Sequence, residues 1–413
     1  MRKVVPLKKQ YEIIDNSLKE RMNTIIPSTM CEYGFDMWIV LCREYCEDPI
    51  YTTMIPCLCL TARRLSCLVF TLKDGVFEAW NFGRADGRIN KLYKQGYTDK
   101  SISQLEALAK FITERDPKKI GINTSLVSGM GDGLSKQLYD DLCSVLTDDQ
   151  ISKLASAYDL STRWIETRTE DELARYYSVY ALAMDICEEA FSRKVITPGV
   201  TTTTEVEEWI AQEINSLGLT FWFSPHVDVQ RQGLEGTAHT DLVIRHGDLL
   251  HYDVGIKYFG LCTDSQRLGY VLKEGETEVP KYLTDAFAKT SRFQDIVAEE
   301  HIVGRTGNEI LKISLERAKE EGIKAMLYNH PIGFFGHSAG TVVGLWDMQG
   351  GIGLKGEFPL HVNTCYALEL NTESEIAEWG GQTVRFSAEE SVAFTESGVL
   401  RYMFPGRDKI YAI

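Results

Sequence analysis

Two aspartates, Asp253 and Asp264, stand eleven residues apart between two stretches that read as short strands. These strands are predicted at residues 249–256 and 261–271, with a four-residue hairpin loop between them. If the strand ends beside the loop pair with each other, Asp253 lies opposite Asp264, with the Cβ atoms about 5 Å apart. Two like charges at that distance are destabilising unless a cation lies between them. The pair therefore predicts a site for a divalent cation.

Three further segments offer ligands of the kind such a cation accepts. Carboxylates suit hard divalent cations, and Mn²⁺, Co²⁺ and Zn²⁺ also accept imidazole. His330 lies in a glycine-rich aromatic segment, seven residues before His337, and Glu369 is a lone carboxylate in an apolar strand-like segment. Of the neighbours Glu389 and Glu390, only one can face a given side of a strand. Each residue alone also fits a structural or solvated role, but together they give the order Asp, Asp, His, Glu, Glu.

This order resembles the pita-bread metallopeptidase family, in its aminopeptidase P and prolidase branch. The family carries the motif Asp-x-Gly, then a Gly, then Asp-x-x-Arg, followed later by His-x-x-Gly-x-x-x-His. The segments that match are Asp253-Val254-Gly255, Gly260, Asp264-Ser265-Gln266-Arg267 and His330-Pro331-Ile332-Gly333-Phe334-Phe335-Gly336-His337.

The resemblance implies five metal ligands, which are Asp253, Asp264, His330, Glu369 and Glu389. Asp264 and Glu389 would bridge two divalent cations, and a hydroxide between the cations would attack the peptide bond. The carboxylate-rich set favours Mn²⁺, with Co²⁺ or Zn²⁺ as substitutes. Glu390 stays an alternative to Glu389, because two extra residues precede this pair relative to the family pattern. His337 is a less favoured alternative to His330.

The resemblance also implies residues that act on the substrate. Glu369 would carry a proton from the attacking water to the leaving amine. His337 and His239 would bind substrate and stabilise the oxyanion of the tetrahedral intermediate. His226 is the second candidate for the place of His239. Arg385 would contact substrate, although the two extra residues before Glu389 weaken that expectation.

The predicted helices and strands that carry these residues indicate an α+β fold of two domains. Residues 1–163 are predicted as a smaller α/β creatinase-like domain, and residues 164–413 as the pita-bread catalytic domain. The boundary is drawn where the sequence turns polar and charged, near residues 162–170. Helices are predicted at residues 170–194, 278–289 and 291–321, and from residue 203 or 204 to residue 216, with Thr204 and Glu207 as a capping box.

Composition narrows the class of partner. The 413 residues carry 44 basic and 59 acidic side chains, a net charge of −15. An acidic surface disfavours binding to nucleic acid or to anionic membrane. No apolar stretch reads as a signal peptide or a membrane span. Ten cysteines without a Cys-x-x-Cys motif predict reduced thiols in a cytoplasmic protein.

The expected activity is hydrolysis of the peptide bond before proline, as an Xaa-Pro aminopeptidase or an Xaa-Pro dipeptidase. The substrate would be a peptide with proline at its second position, and the resemblance implies a homodimer. Two alternatives use the same fold. One is a creatinase-like amidinohydrolase that works without metal, and the other is a catalytically inactive pita-bread binding module. Retention of all five ligand residues argues against both.

Overall fold

A computed structural model describes residues 2–238 and 241–413, which form two compact units. One unit is Pro6–Thr169, and the other is Glu170–Ile413 together with the residues before Pro6. The boundary predicted between residues 163 and 164 lies inside a helix, Tyr158–Glu166. Trp164 and Ile165 of that helix are buried, so part of the polar stretch read as a linker is a packed helix.

The first unit has a mixed sheet between helices. Its helices are α1 (Leu7–Glu32), α2 (Pro49–Thr53), α3 (Gln104–Arg115), α4 (Lys136–Val145), α5 (Asp148–Ser152) and α6 (Tyr158–Glu166). Its strands are β1 (Met37–Arg43), β2 (Leu65–Lys73), β3 (Val76–Asn81), β4 (Lys94–Gln95), β5 (Ile120–Ile122) and β6 (Leu154–Ser156). The strand order is β4-β3-β2-β1-β5-β6, antiparallel from β3 to β1 and parallel from β1 to β6. Apolar residues of α3 and α4 pack on this sheet.

The second unit contains four long helices and eleven strands within the described residues. Its helices are α7 (Glu170–Ala190), α8 (Thr203–Ser216), α9 (Lys281–Glu300) and α10 (Gly307–Glu320). Its strands are β7 (Thr220–Phe221), β8 (His226–Gln230), β9 (Leu249–Asp253), β10 (Ile256–Tyr258), β11 (Leu261–Cys262), β12 (Gln266–Tyr270), β13 (Lys324–Pro331), β14 (Thr364–Ile376), β15 (Gln382–Phe394), β16 (Leu400–Tyr402) and β17 (Tyr411–Ala412).

A large sheet organises this unit. Its strands follow the order β13-β14-β15-β12-β9-β8, with antiparallel neighbours, and β16 and β17 pair with β15 and β12. Helices α9 and α10 pack on β13, β14 and β15 through apolar side chains. Helices α7 and α8 share a second core with β8 and β9. A three-stranded sheet has the order β11-β10-β7.

One helix cap and one helix end differ from the sequence expectation. Helix α8 starts at Thr203, one of the two predicted starts, but its capping box is Thr202 with Glu205, two residues before the predicted pair. The predicted break near residue 290 is absent, since Thr290 is buried on the inner face of α9, which continues to Glu300. The next helix starts after Thr306, which caps it together with Glu309.

The remaining expectations from composition concern membranes and thiols. Within residues 2–238 and 241–413, no helix is both long and apolar enough to cross a bilayer. All ten cysteines are free thiols, as predicted, and half of them are buried.

Candidate metal centre

The hairpin that carries the two aspartates is tighter than the sequence suggests. Tyr258 pairs with Leu261, and a two-residue turn joins them at Phe259 and Gly260, which have φ values of 52° and 74°. The four-residue loop and the direct opposition of Asp253 and Asp264 were therefore wrong. The true register is displaced by two residues, and a displacement of two preserves the face to which each side chain points.

A row of four paired residues crosses the large sheet. Asp253 on β9 pairs with Gln266 on β12, which pairs with Glu389 on β15, which pairs with Glu369 on β14. Side chains of directly paired residues point to the same face of a sheet. Leu368, the neighbour of Glu369, packs in the core beneath α9 and α10. The carboxylate of Glu369 therefore faces away from that core, together with those of Asp253 and Glu389.

Asp264, His330 and Glu389 form a compact buried cluster. Each offers one ligand atom, and the three atoms lie within 4.8 Å of one another. Nε2 of His330 is 3.6 Å from Oδ2 of Asp264 and 3.8 Å from Oε1 of Glu389. The Ser391 hydroxyl donates to the backbone oxygen of Asp264 at 3.0 Å, which ties the start of β12 to β15.

Atoms of this cluster fit a divalent cation. Nε2 of His330 and both carboxylate oxygens of Glu389 are buried and have no hydrogen-bond partner among the described residues. Buried polar atoms are rarely left unpaired in folded proteins, so such atoms require an explanation. An imidazole nitrogen and carboxylate oxygens that converge are the donor set of Mn²⁺, Co²⁺ or Zn²⁺.

Electrostatics support the same conclusion. Burial and the charges of the neighbouring carboxylates raise the pKa values of Asp264 and Glu389 well above their ordinary range. Burial likewise raises the pKa of Asp253 to about 6 and that of Glu369 to about 7. Burial lowers the pKa of His330 to about 3, so its imidazole is neutral, as a metal ligand must be. Without cations, the four carboxylates repel one another.

The choice between the two adjacent glutamates follows from their surroundings. Glu390 is buried on the opposite face of β15, where its carboxylate lies 2.7 Å from Nη1 of Arg267. The hydroxyl of Tyr180 donates to the same carboxylate at 3.0 Å. Glu389, not Glu390, therefore faces the cluster, and Arg267 of the sequence motif lies behind it.

Aromatic rings border the cluster. The exposed ring of His337 lies 4.7 Å from the ring of His330 and 5.1 Å from that of Trp222, measured between centroids. The ring of Tyr328 lies 5.0 Å from that of His330. Trp222 is fixed by a 2.8 Å hydrogen bond from Nε1 to the backbone oxygen of Thr263. The sequence analysis did not identify Trp222 or Tyr328.

Two glycines of the motifs allow Trp222 this position. A Cβ atom on Gly255 would lie 2.0 Å from Nε1 of Trp222, and one on Gly336 would lie 2.1 Å from its ring. Both distances are far below van der Waals contact. The two glycines are therefore required by close packing against one indole.

Of the three other predicted substrate residues, one lies outside the described residues, one lies beside Asp253 and one lies farther along β15. His239 lies outside the described residues. His226 is half-exposed at the start of β8, paired in register with Asp253. The exposed side chain of Arg385 lies 3.7 Å from the carboxylate of Glu373. Four residues along a strand separate Arg385 from Glu389, which is about 13 Å.

Comparison with known proteins decides the family. Residues 179–396 match the model of Metallopeptidase family M24, and this segment is more than half of the chain. The chain belongs to metallopeptidase family M24. No curated protein matches the sequence. The family predicted from the ligand order is confirmed.

Solved structures similar to this M24 chain cover almost all of it. X-Pro aminopeptidase from Thermotoga maritima MSB8 is 16% identical, with a TM-score of 0.65 over 94% of this chain and 100% of that chain. Xaa-Pro dipeptidase from Bacillus anthracis is 16% identical, with a TM-score of 0.65 over 96% and 100%. The N-terminal domain of FACT complex subunit SPT16 from Cicer arietinum (chickpea) is 9% identical, with a TM-score of 0.56 over 94% and 96%. The predicted α+β fold, a pita-bread domain after an N-terminal domain, is confirmed.

The M24 chain has further polar residues beside its cluster that the sequence analysis missed. His251 lies between Asp228 and Gln266, and Gln266 in turn reaches Glu369. Although burial opposes it, the carboxylate of Asp228 raises the pKa of His251 to about 9. A strand side chain two residues from a ligand faces the same side as that ligand. That rule, applied from Asp253 and Asp264, would have found His251 and Gln266.

Proposed function

We propose that this chain is a dinuclear metal-dependent peptidase that cleaves the peptide bond before proline in Xaa-Pro peptides. The observation that carries the proposal is the convergence of four carboxylates and one imidazole on one face of the sheet, with buried ligand atoms unpaired at its centre. Such a cluster is electrostatically unfavourable unless cations compensate it. Two divalent cations would balance four carboxylates.

Each residue of the cluster has a role in this proposal. Asp264 and Glu389 would hold both cations, Asp253 would hold one of them, and His330 and Glu369 would hold the other. Bound divalent cations lower the pKa of a water molecule and polarise the scissile carbonyl. Glu369 would accept the proton of the attacking water and pass it to the leaving amine.

Residues at the border of the cluster would bind the substrate. His337 is exposed beside His330 and can donate to the oxyanion of the tetrahedral intermediate. His239 is proposed to share this task. Contact with Arg385 would require a substrate that extends about 13 Å along β15 from Glu389.

Specificity for proline rests on similarity of fold. Several solved structures of the same architecture are named as Xaa-Pro peptidases, including prolidase from Pyrococcus horikoshii OT3, which this chain covers to 99%. Fold alone does not decide the activity, because the similar domain of SPT16 is described as part of the FACT complex. Presence of all five ligand residues favours a peptidase over a binding module or a metal-free amidinohydrolase.

The test is a panel of peptides assayed with Mn²⁺. Xaa-Pro dipeptides, Xaa-Pro-Xaa tripeptides and longer peptides are each compared with a partner in which alanine replaces proline. We expect cleavage of the proline series alone, two Mn²⁺ ions per chain, and loss of both in strong chelator. Cleavage of dipeptides only would assign a dipeptidase, and cleavage of longer peptides an aminopeptidase.

Two controls make the proposal refutable. Asp264→Ala should abolish metal binding and cleavage, whereas a surface variant such as Lys312→Ala should change neither. Full cleavage in chelator, or by Asp264→Ala, would eliminate the two-metal mechanism. Cleavage of creatine without metal would favour the creatinase-like alternative. The proposed homodimer is checked by light scattering of the same samples.

A further inference from the structure

A chain of polar contacts leads from Glu369 away from the metal cluster. Nε2 of Gln266 donates to Oε1 of Glu369 at 2.9 Å. Oε1 of Gln266 lies 2.9 Å from Nε2 of His251. Nδ1 of His251 lies 3.1 Å from Oδ2 of Asp228. Three contacts therefore connect the proposed proton carrier on β14 to a carboxylate on β8, four strands away in the sheet.

The direction of these hydrogen bonds is fixed by chemistry. An ionised carboxylate only accepts, so the NH₂ group of Gln266 must face Glu369. The amide oxygen of Gln266 then faces His251, and because this oxygen only accepts, Nε2 of His251 carries the hydrogen. Nδ1 of the same ring faces the carboxylate of Asp228. Asp228 thus fixes the His251 ring, and the ring fixes the amide of Gln266.

The network is assembled by the sheet and not by the local sequence. Asp228 lies on β8, His251 on β9, Gln266 on β12 and Glu369 on β14. Asp228 and His251 are direct cross-strand partners. Helix α8 supports the end of the network at β8, because the Glu207 carboxylate accepts a hydrogen bond from the backbone N–H of Val227 on that strand.

The position of Gln266 in the sheet restricts which side chain can serve there. It is paired in register with Asp253 on one side and Glu389 on the other, so it stands between two proposed ligands. Its side chain passes Glu389 to reach Glu369. An amide at this place donates one hydrogen bond to a ligand without adding a charge to a site that already holds four carboxylates.

We propose that Gln266 is a positioning residue. Its amide NH₂ group would hold the Oε1 atom of Glu369 and leave the Oε2 atom of Glu369 free to bind the cation and to carry the proton. Asp228 and His251 orient the amide of Gln266 for this task. The inference rests on the proposed function, because it takes Glu369 as a metal ligand. Gln266 contacts His251 and Glu369 and acts through Glu369.

Two substitutions test the role. Gln266→Met has similar length but cannot donate to Glu369, and Gln266→Asn keeps the amide but is too short to reach it. The matched control is Gln294→Met, because Gln294 is also buried in the second unit but contacts Arg407 instead. All proteins are full-length, and unfolding in urea is measured in chelator to identify any variant that fails to fold.

The readouts are Mn²⁺ binding by calorimetry and steady-state kinetics on an Xaa-Pro peptide. Loss of a hydrogen bond to a metal ligand typically weakens metal affinity by about 10–100-fold. We expect both Gln266 variants to lose this much affinity for one of two Mn²⁺ ions and a similar factor in kcat, with KM within about twofold of wild type. Gln294→Met should bind both ions with wild-type affinity. If Gln266 had a purely structural role, its variants would have a lower free energy of unfolding but wild-type affinity for both Mn²⁺ ions and wild-type kcat.

Each result supports or overturns the inference. If folded Gln266→Met and Gln266→Asn bind two Mn²⁺ ions with wild-type affinity and retain wild-type kcat, the positioning role is wrong while the proposed function stands. If the wild-type protein binds no Mn²⁺, the proposed function fails first and the inference fails with it. The wild-type measurement therefore separates the two failures.

Discussion

Glu389 and Glu390 are consecutive on β15, yet they serve opposite faces of the sheet. Glu389 faces the buried cluster, 3.8 Å from His330, with both carboxylate oxygens unpaired among the described residues. Glu390 is 2.7 Å from the guanidinium of Arg267 in the layer behind. Alternation along one strand thus separates a proposed ligand from a residue that holds the ligand's strand in place.

The two glutamates should respond differently to the same substitution. Glu390→Gln leaves the buried charge of Arg267 without its partner, and breaking a buried pair costs about 3–5 kcal/mol of the free energy of unfolding. Glu389→Gln should leave the stability of the metal-free protein unchanged or higher, because it removes a carboxyl whose pKa is raised by burial and by the neighbouring carboxylates. Urea unfolding in chelator measures both effects.

Metal content gives the second half of this comparison. Glu389→Gln should lose bound Mn²⁺ and activity, whereas folded Glu390→Gln should still bind two Mn²⁺ ions per chain. Elemental analysis of the purified proteins measures this directly. The opposite pattern, with metal lost only from Glu390→Gln, would contradict the assignment of Glu389.

The stability of the metal-free protein should depend on pH. Asp253 and Glu369 have pKa values of about 6 and about 7 in the folded chain, above their ordinary values near 4. These two carboxyls bind protons more tightly in the folded state, so they make the free energy of unfolding fall as the pH rises from about 4 to 7. His330, whose pKa is lowered to about 3, contributes in the opposite direction up to about pH 6.5, but it is outnumbered by the carboxyls of the cluster. His251, with a pKa of about 9, continues this decline above about pH 6.5.

Added Mn²⁺ should reverse the trend, because ligands bind cations in their deprotonated form. The measurement is thermal unfolding between pH 5 and 8, in chelator and with Mn²⁺. Replacing Asp253 with Asn and Glu369 with Gln in one protein should make the profile in chelator less steep, with Asp264 and Glu389 still contributing to it. Stability in chelator that increases with pH over this range would refute the raised pKa values.

The order and spacing of the proposed ligands were readable from the sequence for a physical reason. A cation site restricts residue type, so Asp253, Asp264 and His330 stand out among apolar neighbours. Strand periodicity then limits which face each residue can occupy. The error in the hairpin register did not affect the site, because a displacement of two residues returns every side chain to its face.

The turn and the long-range side-chain contacts of the site could not be predicted, because they depend on tertiary structure. A two-residue turn with Phe259 in the left-handed region is not indicated by that residue, which seldom adopts positive φ. The partner of Glu390 is Arg267, more than one hundred residues away in the chain. The contact of Gln266 with Glu369 spans 103 residues. Such pairings follow from strand order, which local sequence patterns do not specify.

The glycine of the first motif should tolerate no side chain. In Gly255→Ala the new Cβ would meet Trp222 at 2.0 Å and the backbone oxygen of Thr263 at 2.7 Å. Overpacking of this kind costs about 1–3 kcal/mol, and displacement of the indole would also move His337. Urea unfolding and kcat/KM measure the two effects. Gly350→Ala is the control, because no atom lies within 4 Å of its Cβ position, and equal behaviour of the two variants would refute the packing argument.

The adjacent histidines His330 and His337 can be distinguished by substituting each with Gln. His330→Gln should lose Mn²⁺, because the buried Nε2 faces Asp264 and Glu389. His337→Gln should keep both ions but lose about 10²–10³-fold in kcat, the usual cost of removing one donor to the oxyanion. His246→Gln replaces an exposed histidine that contacts only the backbone of Leu272 in the described contacts, and should be unchanged. If His337→Gln lost Mn²⁺ and His330→Gln retained it, His337 would be the ligand, because removal of an imidazole that binds the cation releases the cation.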